Sequence, residues 1–386
     1  SCAGRPAQRM SIVTLLSGKK RSKRQFSLSE ADLHDFARGA ALLGTGGGGD
    51  PYIGRLMAQN AIREFGEPRI VSVDDLPKDA TVCIIAMLGA PTVLSEKGAS
   101  GTDIDLAITR LSERIGKPID AVMPAEIGGV NSTIPIVAAA RLGLPLVNAD
   151  GMGRAFPEIQ MVTMTFEGVS ATPFVIVDDH ENSAIIETDN AKRAEDFVRA
   201  VAIQMGLSCM VAGYAMSGAE VRRATIPGTL TAAYEVGKAI ADGRVGGDPI
   251  NAVLGYLSAS PIYGHARELF DGKVVDLRRE TTRGFSIGHC TIEGLSDSSA
   301  SISLQFQNEY LIALERGQMR AIVPDLIAIL DRETAEPIPV EALRYGQRVK
   351  VIAAAAPAAL RADKALEYVS PRCFGLDYDY APIETL

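Results

Sequence analysis

Seven consecutive apolar residues, Val82–Leu88 (VCIIAML), are closed by the breaker Gly89-Ala90-Pro91. A run of strand length with no polar alternation is what a strand buried on both faces presents, and such strands belong to parallel sheets covered by helices. The flanking sequence keeps that rhythm. Ser29–Leu43 reads as a helix, with Ser29 and Asp32 as its capping box and Leu33, Phe36, Ala37 and Ala40 at helical spacing. Asp50 and Pro51 then supply an N-cap and a first-turn proline for a second helix. Asp103–Ile115 is predicted helical, Asp120–Met123 a short strand, Asn131 to about Leu142 a helix, and Pro145–Val147 another strand. Strands alternating with helices predict an N-terminal parallel-sheet α/β domain.

From Ile159 the texture changes. Gln160–Glu167, Phe174–Asp178 and Ala184–Glu187 read as strands, Ala191–Met205 as a helix and Ser208–Ala215 as a strand. Two helices follow, Thr229–Ala241 and Ile250–Leu257. After Gly264 the pattern is a series of short strands with turn signals, which predicts a β-rich C-terminal domain, a sandwich or small barrel. The expected division is a leader over 1–25, an α/β domain over 26–190 and a mostly β domain over 191–386. The leader carries Lys19, Lys20, Arg21, Lys23 and Arg24 behind a short apolar stretch, the reverse of a secretory signal. The cluster resembles a nuclear-localisation or RNA-contact patch, but it is read as a solvated leader and set aside.

Composition excludes several classes. A hydrophobic share of 47% over 386 residues supports a sizeable core, and a net charge of −8 lacks the basic face a nucleic-acid binder needs. No apolar run approaches a membrane span. Cys2, Cys83, Cys209, Cys290 and Cys373 form neither a disulfide framework nor a CxxC pattern, so a reduced, cytoplasmic setting is expected. His34, His180, His265 and His289 show no metal-ligand spacing. Cofactors stay open: a divalent metal is compatible with the chain, but no ligand motif points to one.

Three segments concentrate residues that could carry chemistry. In Gly44-Thr45-Gly46-Gly47-Gly48-Gly49-Asp50, five glycines in six residues precede a helix, so backbone N–H groups could converge on an anion there. The loop lacks the Gly-Lys-Ser/Thr of a P-loop, and a helix rather than a strand precedes it, which argues against a nucleotide. A glycine-rich turn that lets two helices approach is the competing explanation. The second segment, Glu126-Ile127-Gly128-Gly129-Val130-Asn131, follows a predicted strand, where open α/β sheets bind ligands. Glu126 suits a general base or a metal ligand, and Asn131 either a site group or a helix cap. The third, Asp150-Gly151-Met152-Gly153-Arg154-Ala155-Phe156-Pro157-Glu158, also begins at a strand end. Arg154 suits a carboxylate clamp, or an ion pair with Asp150 that holds the loop. The predicted sheet thus points Gly89, Glu126 and Asp150 at one edge. Asp178, Asp179, His180 and Glu181 read as a solvated turn, and Gln307, Asn308 and Glu309 interrupt an apolar β pattern where they could reach a cleft.

Together, the Leu43–Pro51 loop, the Glu126–Asn131 segment and the Gly153-Arg154-Ala155-Phe156-Pro157-Glu158 string resemble the S-methyl thiohydantoin desulfurase family. Gly284-Phe285, Phe306-Gln307-Asn308-Glu309, Pro324-Asp325-Leu326-Ile327, Leu343-Arg344-Tyr345-Gly346 and Phe374-Gly375 look like it too, so the resemblance runs from about Phe26 to Tyr380. It implies an α/β domain followed by a β-rich one, and hydrolytic removal of sulfur from a small cyclic substrate. Members often occur beside, or fused to, hydantoinase/oxoprolinase proteins, which implies such a partner. A homo-oligomer is expected of a metabolic enzyme. The residues expected to serve the chemistry are Asp50, Glu126 and Asp150 as acid–base or metal groups. Thr45, Gly46, Gly47, Gly48, Gly49, Gly128, Gly129, Asn131, Arg154 and Glu158 are expected to bind substrate. Two other readings remain, a metal-dependent hydrolase of another cyclic amide or urea and a non-catalytic accessory subunit of a hydantoinase.

Overall fold

Two seven-stranded sheets organise the chain. The computed structural model describes residues 26–89, 101–282 and 285–386, so the basic leader, Ala90-Pro91 and Gly284 lie outside the described residues. Strands β1 (Ile70–Val71), β2 (Thr81–Gly89), β3 (Ala121–Met123) and β4 (Leu146–Val147) form the parallel half of the first sheet. After β5 (Ala149–Asp150), β6 (Phe174–Asp178), β7 (Ser183–Ile186) and β8 (Ser208–Ser217) form its antiparallel half. The order across the sheet is β1-β4-β3-β2-β8-β6-β7. The VCIIAML run sits in β2, between β3 and β8, and is buried along its length. Helices Thr102–Ile115 and Ile134–Leu142 pack on this sheet, and Pro51–Phe65 packs on the latter. The sheet is therefore parallel only in part. Strand β8, which follows position 190, joins this sheet between β2 and β6.

Strand β9 (Ile226–Pro227) pairs with β5 in a two-stranded ribbon beside Asp150. Helices Thr229–Gly246 and Pro249–Ala259 come next, and then the second sheet, which is antiparallel throughout. Its strands are β10 (Gly264–Thr282), β11 (Phe285–Gly294), β12 (Ser301–Gln307), β13 (Glu309–Glu315), β14 (Gln318–Ile322), β15 (Leu326–Asp331) and β16 (Arg348–Ala355), ordered β14-β13-β12-β11-β10-β16-β15. Inward residues such as Cys290, Ile292, Ile302, Leu304 and Val351 fill a second apolar cluster beside the main core, as period-two burial of a one-faced sheet requires.

One expected strand is absent. Gln160–Glu167 contains only the short helix Thr163–Phe166. Met161, Val162 and Met164 are buried, but Thr163 donates its N–H to Gly151 O (2.8 Å) and its hydroxyl to Ala224 O (2.7 Å). Packing between loops buries these side chains without a ladder, so the apolar content misled the periodicity argument.

Candidate active site

Parallel strands leave their carboxyl ends on one edge of the sheet, and the loops that carry Glu126 and Asp150 both leave that edge. They are laced together there. Gly151 N–H bonds Ala125 O (3.0 Å), and the Asp150 carboxylate accepts the N–H groups of Ile127 (2.8 Å), Met152 (3.2 Å) and Gly153 (2.8 Å). Asp150 is fully buried, and burial outweighs these donors, so its pKa rises to about 7. Its oxygens point into the loops it organises. Asn131 lies in the 3-10 turn Gly129–Ser132 and caps nothing. Its Oδ1 accepts Met87 N–H (2.7 Å), while its Nδ2 donates to Met87 O (3.1 Å) and to Glu126 Oε1 (2.7 Å). The amide thus extends the edge of β2 and fixes the Glu126 carboxyl against it.

The glycine loop closes the site from the other side. Three of its amides are engaged by backbone carbonyls: Gly44 N–H bonds Ala40 O, Thr45 N–H bonds Leu42 O, and Gly47 N–H bonds Gly44 O, at 2.8–3.0 Å. Gly48 O accepts Val130 N–H (2.8 Å), and a Cβ on Gly129 would fall 2.1 Å from Gly48 O. The loop also forms a backbone-to-backbone seam with the second glycine segment, which side chains at Gly48, Gly128 or Gly129 would force apart. Tyr310 N–H to Thr45 O and Val340 N–H to Gly46 O, both 2.8 Å, tie the loop to the second domain. Asp50, the other expected base, is exposed and caps Pro51–Phe65 by accepting Tyr52 N–H (2.9 Å).

Arg154 is fully buried and serves as a strut. Its Nε donates to Ala155 O (3.0 Å), its Nη1 to Pro324 O (2.7 Å) and Asp325 O (3.0 Å), and its Nη2 to Thr45 Oγ1 (2.8 Å). Its guanidinium lies 4.4 Å from the Phe156 ring centroid. It is neither the expected open clamp nor paired with Asp150, because its hydrogen bonds go to main-chain carbonyls and the Thr45 hydroxyl. It locks the glycine loop, the Arg154 loop and the β14–β15 turn into one body.

In the sequence, Glu309 stands out only as part of a polar break, Gln307-Asn308-Glu309, in an apolar β pattern. Asn308 adopts φ of 60°, a conformation that asparagine tolerates, and makes the tight turn between β12 and β13. Its N–H bonds Ser286 O and its Oδ1 accepts Ser286 N–H. That turn delivers Glu309, only 2% exposed, to the glycine loop. A Cβ on Gly47 would meet Glu309 Oε1 at 2.0 Å, so the carboxyl fills the space a side chain would take. The buried Glu126 Oε2 and Glu309 Oε2 both lack a hydrogen-bond partner. Burial raises the Glu126 pKa to about 8. Burial, with Glu126 close by, pushes Glu309 well above the usual carboxylate range, while Arg154 opposes both shifts.

Family comparison agrees with this architecture. A model described as the S-Me-THD-like N-terminal domain matches residues 31–188, and the S-Me-THD-like C-terminal domain matches residues 188–383. The chain belongs to the S-Me-THD-like family. A crystal structure of a Chromobacterium violaceum protein shares 25% identity with this S-Me-THD-like chain at a TM-score of 0.76, covering 93% of this chain and 100% of that one. No curated protein matches it.

The remaining candidates lie elsewhere in this S-Me-THD-like fold. Glu158 contacts Lys192 (3.3 Å) and Gln160 rather than the carboxyl pair. Among the described residues, the group with metal-ligand spacing is Asp178, Asp179 and His180. There the Asp178 carboxylate closes the β6–β7 turn onto the His180 and Asn182 N–H groups (3.0 and 2.8 Å). Burial pushes the Cys83 and Cys290 thiols up to about 12, the opposite of a nucleophile's setting. No helix among the described residues is long and apolar enough to cross a membrane.

Proposed function

We propose that this S-Me-THD-like protein is a hydrolase that converts an S-methyl thiohydantoin into the hydantoin and methanethiol. The observation that carries the reading is Glu126: a buried carboxyl with one unpartnered oxygen, oriented by Asn131, with its pKa raised to about 8. That is the setting of a general base working near neutral pH. A water oxygen bonds to the sulfur-bearing ring carbon as Glu126 takes one of its protons, and the ring nitrogen is protonated. The tetrahedral adduct then collapses: the C–S bond breaks, the thiolate takes a proton, and a ring carbonyl is left. One water enters and one methanethiol leaves. Arg154 acts as a strut beneath the site, so this reading assigns it no substrate carboxylate.

The test is an assay of the purified protein on S-methyl thiohydantoins and on plain hydantoins, following thiol release and ring opening separately, with and without a divalent metal. Thiol release without ring opening is expected, and Glu126→Gln should lower kcat about 100-fold or more. Ring opening of hydantoins without thiol release, or full turnover by Glu126→Gln in folded protein, would overturn the reading.

A further inference from the structure

Glu126, Glu309 and Arg154 are all buried around the glycine loop: Glu309 lies against Gly47, Gly48 packs on Gly128 two residues beyond Glu126, and Arg154 holds Thr45, while the two glutamates each keep one oxygen without a partner. An unbalanced charge is expensive in such a place. One guanidinium balances one carboxylate, so three ionised groups would leave a net negative charge, and a single proton on the two carboxyls removes it. The groups facing Glu309 are Glu126, Arg154 and the Gly48 N–H. Those facing Glu126 are Asn131, the Phe156 N–H, Asp150 and Arg154, while Asp325 and Tyr263 face Arg154 from behind. Asp150 is held by three backbone N–H groups, and Asp325 by the Ala356 and Ile383 N–H groups, Tyr380 and Arg361. The unpartnered oxygens therefore belong to the two glutamates.

We propose that Glu126 and Glu309 form a carboxyl dyad sharing one proton, in which Glu309 is a second catalytic residue that protonates the ring nitrogen while Glu126 takes the proton of water. The assignment rests on the hydrolytic reading above. It follows from the seat of Glu309 against Gly47 and from the unpartnered oxygen that each buried glutamate keeps. The cycle closes without any other proton source. In addition, Glu126 gains the water proton and Glu309 gives its own to nitrogen. In collapse, the adduct hydroxyl returns a proton to Glu309, and Glu126 gives its proton to the departing sulfur. Each carboxyl ends as it began. The pair thereby selects a neutral ring that offers an acceptor nitrogen, and disfavours a substrate whose negative charge would face it.

Two measurements on the full chain test this. The first is the pH dependence of methanethiol release by wild type, Glu309→Gln and Glu309→Asp. The second is the infrared carboxylic-acid C=O band at about pH 9, above the Glu126 ionisation, for wild type, both single glutamine variants and the double variant. The wild-type rate should rise as Glu126 ionises and fall as Glu309 does. Glu309→Gln should lose the falling limb and about 100-fold or more in kcat, with part of the rate restored in Glu309→Asp. Because one proton is shared, either single variant should remove as much band intensity as the double variant. Band losses that add, or a Glu309→Gln enzyme with the wild-type rate and profile, would overturn the dyad and leave the desulfurase reading standing. No thiol release by wild type, together with equal band losses, would keep the shared proton and overturn the substrate reading. If Glu309→Gln fails to fold, Glu309→Asp, whose carboxyl is withdrawn by one methylene, carries the pH–rate readout, and Glu126→Gln against wild type carries the band.

Discussion

Glu126→Gln replaces one oxygen of a buried carboxyl with an amide NH2 and leaves the other oxygen to accept from Asn131 Nδ2. The side chain is nearly isosteric, so the main change is in proton linkage. In the folded chain the Glu126 pKa rises from 4.5 to about 8. Between those values the folded protein holds a proton that the unfolded chain has lost, so stability falls as pH rises through the window. Below 4.5 both states are protonated and the penalty is absent; above about 8 it is complete. At 1.36 kcal/mol for each pH unit, the penalty approaches about 5 kcal/mol, a ceiling that water entry and relaxation lower. Glutamine does not titrate, and losing the like charge also eases ionisation of Glu309 beside Arg154. The assay is urea unfolding of wild type and variant at pH 5, 7 and 9. The variant should gain on wild type with each step, by a total of at least about 2 kcal/mol, while losing catalysis. Taking the difference between the two proteins cancels the titration of distant groups. Curves that stay parallel from pH 5 to 9 would refute the reasoning, because they would mean that Glu126 ionises in the folded protein as readily as in water.

Gly47→Ala places a methyl group 2.0 Å from Glu309 Oε1, so Glu309 must move; thiol release should fall about 100-fold, and an alanine enzyme with full activity would disprove the seat of Glu309. Arg154→Met removes four hydrogen bonds and leaves two buried carboxyls without their counter-charge. Urea unfolding at pH 7 should show a loss of about 3–5 kcal/mol, and a loss below about 1 kcal/mol would contradict the strut. Asp50→Ala removes an exposed N-cap and should cost about 1 kcal/mol in the same assay while thiol release continues; its abolition in folded protein would return Asp50 to the role of base.

Much of this was legible along the chain because the signals are local. The VCIIAML run named β2, Asp50-Pro51 named a helix start, and the strand-end positions of Glu126 and Asp150 named the edge where the loops gather. The glycine loop was also legible as a special backbone, but not its use. Whether free amides or a close seam explains the glycines depends on what lies opposite, and that is Gly128-Gly129, far along the chain. Arg154 shows the same limit. An arginine in a glycine-rich loop suits a clamp until its donors are traced to Thr45, Ala155, Pro324 and Asp325.

By itself, then, the sequence determined the alternation of elements, the two kinds of sheet and the segments rich in glycine and carboxylates, since periodicity, caps and breakers act within a few residues. Tertiary structure alone decided that Glu309, on a hairpin of the second sheet, comes to lie against Gly47 and near Glu126 of the first. Whether a buried carboxyl keeps its proton depends on the charges and donors around it in space, and chain separation carries no information about those.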